Sequence, residues 1–357
     1  MRILVTGGAG FIGSNFVHYM LNIHPDNHIV VLDKLTYAGN LDNLKGFRTN
    51  RNFRFVKGDI CDRNVVERLV RNVDCVINFA AETHVDRSIW FAGDFVRTDV
   101  FGTFVLLEAV RKNGKARFVQ ISTDEVYGEA GERPSSEDAP LMPKSPYAAS
   151  KAGADRLAYS YHTTYGTPVV ITRCTNNYGP YQFPEKLIPL FVTNALRDRK
   201  LPVYGSGKNT RDWIHVMDHC RAIDAVLHAG TFSGDVFNIG AGEEHSVLEI
   251  AQVVLDTIGK SSDMLEYVAD RPGHVTRHAV DTNKIRNRLG WAPVEKFTKG
   301  IRETVHWYME NEWWWKKLLS KQMDFTKGPP RPKGTAKRPS GKKPAKARPK
   351  PHPKRRR

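Results

Sequence analysis

The chain lacks the features that mark several protein classes. No run approaches the roughly 20 apolar residues a membrane helix needs, so a membrane-spanning protein is excluded. The start, Met1–Thr6, enters an apolar strand pattern at once, without the charged and apolar regions of a signal peptide, which predicts a cytoplasmic protein. Cysteine is scarce: Cys61, Cys75, Cys174 and Cys220 show no CxxC or metal-ligand spacing. A disulfide scaffold and a zinc cluster are therefore not expected, and buried reduced thiols are. The 13 histidines include no HxH or HExxH pair, so no metal is predicted. Acidic residues are missing from 327–357, which holds 14 of the 54 Lys and Arg; the other 326 residues carry 40 basic against 38 acidic. The net charge of +16 is thus a tail property, and the nearly neutral body is not a nucleic-acid-binding surface.

What is present is a repeated alternation of strand and helix. Apolar, β-branched runs at 2–6, 28–33, 53–57, 75–79, 117–122 and 169–173 read as buried strands, with helical spacing at 11–23, 63–71, 95–112 and 146–165 between them. That order predicts an α/β fold with a doubly wound parallel sheet over 1–178. Past Tyr178, Pro and Gly interrupt the rhythm and helices are expected at 187–199, 216–228 and 247–258. Residues 179–326 read as a smaller mixed α/β domain that binds substrate and closes over the sheet edge, with the chain free to cross back to the sheet. Residues 327–357, rich in Lys, Arg and Pro, read as disordered.

Gly7-Gly-Ala-Gly10-Phe-Ile-Gly13 follows the first strand and opens a helix. Glycines at 7, 10 and 13 permit a tight turn and let a pyrophosphate approach the helix N-terminus. Asp33 closes the second strand twenty residues past Gly13; an acid there bonds a ribose 2′-hydroxyl and repels a 2′-phosphate, which favours NAD over NADP. Asp59-Ile60 and Ala80-Ala81 follow the third and fourth strands, at the sheet end where such folds hold a ligand.

Tyr147 and Lys151 lie four apart, on one face of a helix. A free tyrosine titrates near pH 10, so its use as a base near neutrality needs a fall of about 3 units. A neighbouring ammonium and a cationic nicotinamide would supply it. Thr123-Asp124-Glu125 ends the fifth strand. Two adjacent carboxylates do not both ionise easily, so one is expected to be raised and to serve as an acid.

These residues resemble the extended short-chain dehydrogenase/reductases (NAD-dependent epimerase/dehydratase family), and within them the dTDP-glucose 4,6-dehydratases. The resemblance runs over about residues 1–315. It includes Asp33–Asn40, Ala80–Ser88, Thr123–Gly128, Tyr147–Lys151, Thr175–Pro189, Arg211–Trp213 and Asp270–His274. Related epimerases lack the Asp-Glu pair, and related decarboxylases and GDP-mannose dehydratases keep the Glu without the Asp, so Asp124 separates the readings. The alternative is an NAD-dependent sugar-nucleotide epimerase or decarboxylase; a non-enzymatic dinucleotide sensor is disfavoured by the intact Thr123, Asp124, Glu125, Tyr147 and Lys151.

The resemblance implies dehydration of dTDP-glucose to dTDP-4-keto-6-deoxyglucose, for deoxysugar synthesis, with tightly held NAD regenerated each turnover. Tyr147 would be the base at the C4 hydroxyl, Thr123 a hydrogen-bond donor to the C4 oxygen, Lys151 the support of the tyrosinate and the ribose, Glu125 the base at C5 and Asp124 the acid at C6. Cofactor contacts fall on Phe11, Ile12, Asp33, Lys34, Leu35, Thr36, Asp59, Ile60, Ala80, Ala81, Glu82, Thr83, His84, Thr98, Tyr147, Lys151 and Asn177. Contacts to the nucleotide sugar fall on His84, Thr123, Asn176, Lys186, Leu187, Ile188, Pro189, Pro202, Val203, Tyr204, Gly205, Arg211, Asn238, Arg271 and His274. The guanidinium groups of Arg211 and Arg271 suit a diphosphate. The family also implies a homodimer.

Three features stand apart. After His274 the family pattern has Asp and, three further on, Tyr; here Val275 and His278 stand there. Trp313-Trp314-Trp315 is expected to pack a terminal helix on the body. The basic tail invites weak binding of polyanions without sequence preference.

Overall fold

A computed structural model describes residues 1–230 and 232–325. The tail expected to be disordered lies outside the described residues. Strands β1 (Arg2–Thr6), β2 (His28–Asp33), β3 (Phe53–Lys57), β4 (Cys75–Asn78), β5 (Arg117–Thr123) and β6 (Val169–Cys174) form as their apolar runs predict. Short strands β7 (Asn176–Tyr178), β8 (Leu201–Tyr204), β9 (Thr210–His215), β10 (Ser233–Ile239), β11 (Glu244–Ser246), β12 (Leu265–Val268) and β13 (Arg277–His278) follow.

The main sheet has seven strands in the order β10-β6-β5-β4-β1-β2-β3, every pair parallel. The order reverses between β1 and β4, and the crevice outside the strand ends at that reversal is where such a sheet holds its ligand. Two apolar layers bury its faces. One gathers Phe16, Val17 and Met20 with Cys220, Ile223 and Leu227; the other gathers Leu106, Val110, Ala158 and Tyr161. β10 was not legible as a strand, because Gly234, Asp235 and Asn238 break its apolar alternation. It forms by pairing with β6, so the chain returns to the sheet after residue 230.

The helix Pro146–Tyr165 has the expected bounds; Ser145 caps it by accepting from the Ala148 amide, and Gly166 ends it in the left-handed conformation. The stretch expected at 95–112 is helical from 92 to 113, with π-type winding over Val96–Gly102. Within the second region, β9 is the centre of a four-stranded sheet, flanked by β7, β11 and β13, and β8 pairs with β12. Its core joins Phe191, Leu201, Val254 and Ile301 to Trp314 and Trp315. Those two tryptophans are buried, Trp314 donating to Asn43 Oδ1 and Trp315 to the Tyr308 carbonyl, each at 2.8 Å. Trp313 is 54% exposed and takes no part in that packing.

Candidate active site

A cavity of about 330 Å³ runs along the ends of β1, β2, β4, β5 and β6. At one end it is lined by Gly7, Gly10, Phe11, Ile12 and Gly13. Gly7 has φ +67°, and a Cβ there would lie 2.6 Å from the Ala80 nitrogen; one on Gly13 would lie 2.5 Å from the Gly7 carbonyl. The helix Phe11–Ile23 begins at Gly10 with no side-chain cap, so its first amides are open to an anion. Asp33 accepts from the Ala9 and Leu35 amides, at 3.0 and 2.8 Å, with its carboxylate at the cavity wall. This glycine cradle, bare helix terminus and buried acid fit a dinucleotide pyrophosphate and ribose. Further along, Lys34, Thr36, Asp59, Ile60, Ala80, Ala81, Glu82, Thr83, His84 and Thr98 line the same wall. Lys34 and Asp59 are ion-paired at 2.8 Å.

At the other end the lining is Thr123, Glu125, Tyr147, Lys151, Asn176, Asn177, Lys186, Leu187 and Ile188. The pattern Thr123-Asp124-Glu125 leaves β5 in a single helical turn. The Thr123 hydroxyl donates to Asp124 Oδ1 at 3.1 Å and accepts the Glu125 amide at 3.3 Å. Asp124 is 2% exposed, and its Oδ2 has no partner. Burial, and then the Glu125 charge, push its pKa up to about 8. Burial also raises Glu125, against the pull of Arg271, Arg211 and Lys186. Both carboxyls are thus shifted upward, with the Glu125 charge adding to burial at Asp124 and three cations opposing burial at Glu125.

Burial, and then the Glu125 charge, hold the Tyr147 phenol well above pH 10; the Thr123 hydroxyl pulls the other way. The Lys151 ammonium donates to the Ile121 carbonyl at 2.6 Å. Burial lowers Lys151 while Asp99 opposes that shift. With these groups the phenol keeps its proton near neutrality, and a positive charge placed beside it would lower it.

Asp99 escaped the sequence reading. It is 1% exposed and accepts Ser150 Oγ at 2.6 Å and the Glu82 amide at 2.8 Å. Burial pushes it up to about 6, with Lys151 drawing it down. Its only signal was an acid on the inner face of an otherwise apolar helix.

A smaller cleft shares Val85 and Glu125 with the main cavity and adds Arg211, Arg271, Lys144, Gly273, Val275 and His278. Arg211 comes from the middle strand β9 and is anchored by the Thr210 and Val275 carbonyls. Arg271 reaches Asp86 at 3.4 Å, and its buried Nε has no partner. Burial and these two guanidinium groups keep His278 neutral, well below pH 6.5. The departures Val275 and His278 thus line the cationic cleft rather than the Tyr147 side.

Not every expected contact reaches a cavity. Asn238 is fully buried: its oxygen accepts the Tyr127 hydroxyl, and its amide donates to the Ser135 and Asp281 carbonyls. Val203 packs in the core of the second region, and the Leu35 side chain packs on the sheet core. Pro189 is buried in the helix Leu187–Ala195, and Pro202 pairs with Glu266. Tyr204 lies close enough to Asp86 and Arg271 to feel their charges. Gly205 sits against the Asp270 carboxylate, which bonds His274 Nδ1 at 2.6 Å. Gly205, Asp270 and His274 brace the loop that carries Arg271, whose amide donates to Asp270.

Residues 4–304 match the family model described as GDP-mannose 4,6 dehydratase. A dTDP-glucose 4,6-dehydratase of Streptomyces niveus is 53% identical over 324 residues, covering 90% of this chain and 96% of that protein. A crystal structure of a dTDP-glucose 4,6-dehydratase from Streptomyces venezuelae with NAD bound is 50% identical, covers 89% of this chain and 100% of that one, and superposes with a TM-score of 0.87. The corresponding enzyme of Bacillus anthracis in complex with NAD is 50% identical, covering 89% and 99%, with a TM-score of 0.84. The glycine cradle, the Tyr147–Lys151 helix and these matches over nine-tenths of the chain lead to one conclusion: the chain belongs to the NAD-dependent epimerase/dehydratase family, among the dTDP-glucose 4,6-dehydratases.

Proposed function

We propose that the chain removes water from dTDP-glucose to give dTDP-4-keto-6-deoxyglucose. The observation that carries this reading is the adjacent pair Asp124–Glu125 at the end of β5, with Glu125, Tyr147 and Lys151 lining one cavity. An epimerase needs only the tyrosine, the lysine and the cofactor; elimination also needs a base at C5 and an acid at C6.

Bound NAD supplies a hydride acceptor for C4 and the hydride that returns to C6. Tyr147 takes the C4 hydroxyl proton, with Thr123 donating to that oxygen. Lys151, held by Ile121, supports the phenolate by its charge. The resulting 4-keto group acidifies C5–H. Glu125 removes that proton, and Asp124 gives its own to the C6 hydroxyl, which leaves as water. Glu125 exchanges its proton with solvent and returns one to C5. Sugar oxidation at C4 and reduction at C6 cancel; Tyr147 then holds the proton from C4 and Asp124 has given its own up, and transfer of one proton from the phenol to the carboxylate through solvent resets both, so the sum is loss of water alone. Lys186, Arg211 and Arg271 hold the diphosphate.

Incubation with dTDP-glucose, UDP-glucose and GDP-mannose tests this. The expected result is a 4-keto product, read by its absorbance in alkali, from dTDP-glucose, with solvent deuterium at C5. Epimerised or decarboxylated sugar without loss of the C6 oxygen would overturn it.

The reading extends to a cytoplasmic homodimer. Ile89, Phe91, Val96, Phe101, Tyr159 and Tyr165 are exposed on the segments 85–113 and 146–165, which pack together. A second copy burying that apolar face accounts for it. The free thiols of Cys61, Cys75, Cys174 and Cys220 accord with a reducing compartment, and no helix among the described residues is long and apolar enough to cross a membrane. The tail 327–357 binds polyanions; its deletion is expected to abolish retention on heparin and leave turnover intact.

A further inference from the structure

The helices Phe11–Ile23 and Val216–His228, each of 13 residues, pack side by side and end at the same place. His24 is the C-cap of the first, and His228 is the last residue of the second. Asp224 stands one turn before His228, so both project from one face. The Asp224 carboxylate lies between the two imidazoles: His24 Nε2 is 3.1 and 3.0 Å from its oxygens, and His228 Nδ1 is 2.8 Å from Oδ1. The rings themselves are 4.8 Å apart, and one donor atom from each of the three residues lies within 4.8 Å of the others.

Two imidazoles and a carboxylate are a ligand set suited to zinc, which sits about 2.0–2.2 Å from such donors. As the site stands, His24 Nε2 and His228 Nδ1 donate to the carboxylate, and His228 Nδ1 also lies 3.0 Å from the Asp224 carbonyl, so an ion entering between them displaces one proton from each facing nitrogen. The side chains are 33%, 15% and 45% exposed for His24, Asp224 and His228, so a fourth position faces water. Two helix C-termini converge on the spot, and their carbonyl ends favour a positive charge. Tyr19 donates to Asp224 Oδ2 at 3.0 Å and orients the carboxylate from behind, as an outer-shell partner does. Arg221 on the same helix is drawn away to Asp218 at 2.5 Å.

We propose that His24, Asp224 and His228 bind one divalent transition metal of the zinc type, with water as fourth ligand. The site staples the end of the first sheet-covering helix to the helix 216–228. It lies about 20 Å from the glycine turn that begins the helix Phe11–Ile23, so it serves stability and not turnover.

The test uses the full chain, stripped with EDTA and titrated calorimetrically with ZnCl2. The expected result is one Zn²⁺ per chain, a rise in melting temperature with ZnCl2, and visible tetrahedral absorption with Co²⁺. His24→Gln and His228→Gln, both at helix ends, are expected to fold, keep turnover, weaken Zn²⁺ at least tenfold and lose the thermal shift. Absence of a thermal shift in the wild type, or equal binding by the double variant (ions held elsewhere, as by the tail), would overturn the site.

Discussion

The Lys151 ammonium donates to the Ile121 carbonyl at 2.6 Å, tying the helix Pro146–Tyr165 to β5 two residues before Thr123. The bond fixes the lysine relative to the Thr-Asp-Glu turn, and Asp99 stands behind it as counter-charge. In the proposed reaction the same ammonium favours phenolate at Tyr147, so Lys151→Met is expected to lower kcat by about 100-fold or more. The acidic limb of the pH–rate profile is expected to move to higher pH, because a positive charge that favours phenolate is removed. An unchanged limb would count against this role for Lys151.

Asp124 holds its proton up to about pH 8. An acid has to be protonated to donate, so elimination is expected to weaken as pH rises through that value. Asp124→Asn removes the transferable proton without changing shape. Stoichiometric enzyme and dTDP-glucose are then expected to show reduced nicotinamide absorbance accumulating, while water loss falls by roughly 100-fold. Normal elimination by this variant would refute the assignment.

Glu125 has the complementary task in the proposed reaction. Glu125→Gln leaves C4 oxidation in place and stops proton removal at C5. Mass spectrometry of sugar recovered from deuterated buffer reads this directly: wild type incorporates deuterium at C5, and the variant does not. Incorporation at the normal rate would place the base elsewhere.

The apolar face at Phe101 and Tyr159 gives a prediction about assembly. The double substitution Phe101→Asp, Tyr159→Asp puts two charges where a second copy would be buried. Light scattering is expected to fall from twice the chain mass to the 40.4 kDa of a single chain. A monomeric wild type, or a dimer untouched by the charges, would place any interface elsewhere.

What the sequence by itself determined rests on short spacings. Gly7, Gly10 and Gly13, the strand-ending Asp33, the Tyr147–Lys151 step and the Thr123–Glu125 run are each carried by residues whose separation sets their geometry through one turn, strand or helix. Local backbone rules place them before any long-range contact forms. The tertiary structure decided what depends on distant partners. Packing gave Asp124 the burial that lifts its pKa and brought Asp99 beside Lys151. It turned the polar-looking Ser233–Ile239 into a sheet strand by pairing it with β6, and enclosed Asn238 among carbonyls. It joined His24 to Asp224 and His228 across 200 residues of chain. No periodicity encodes such meetings, because they follow from how whole helices and sheets bury their apolar faces, and only the closed core fixes which polar groups are left facing one another.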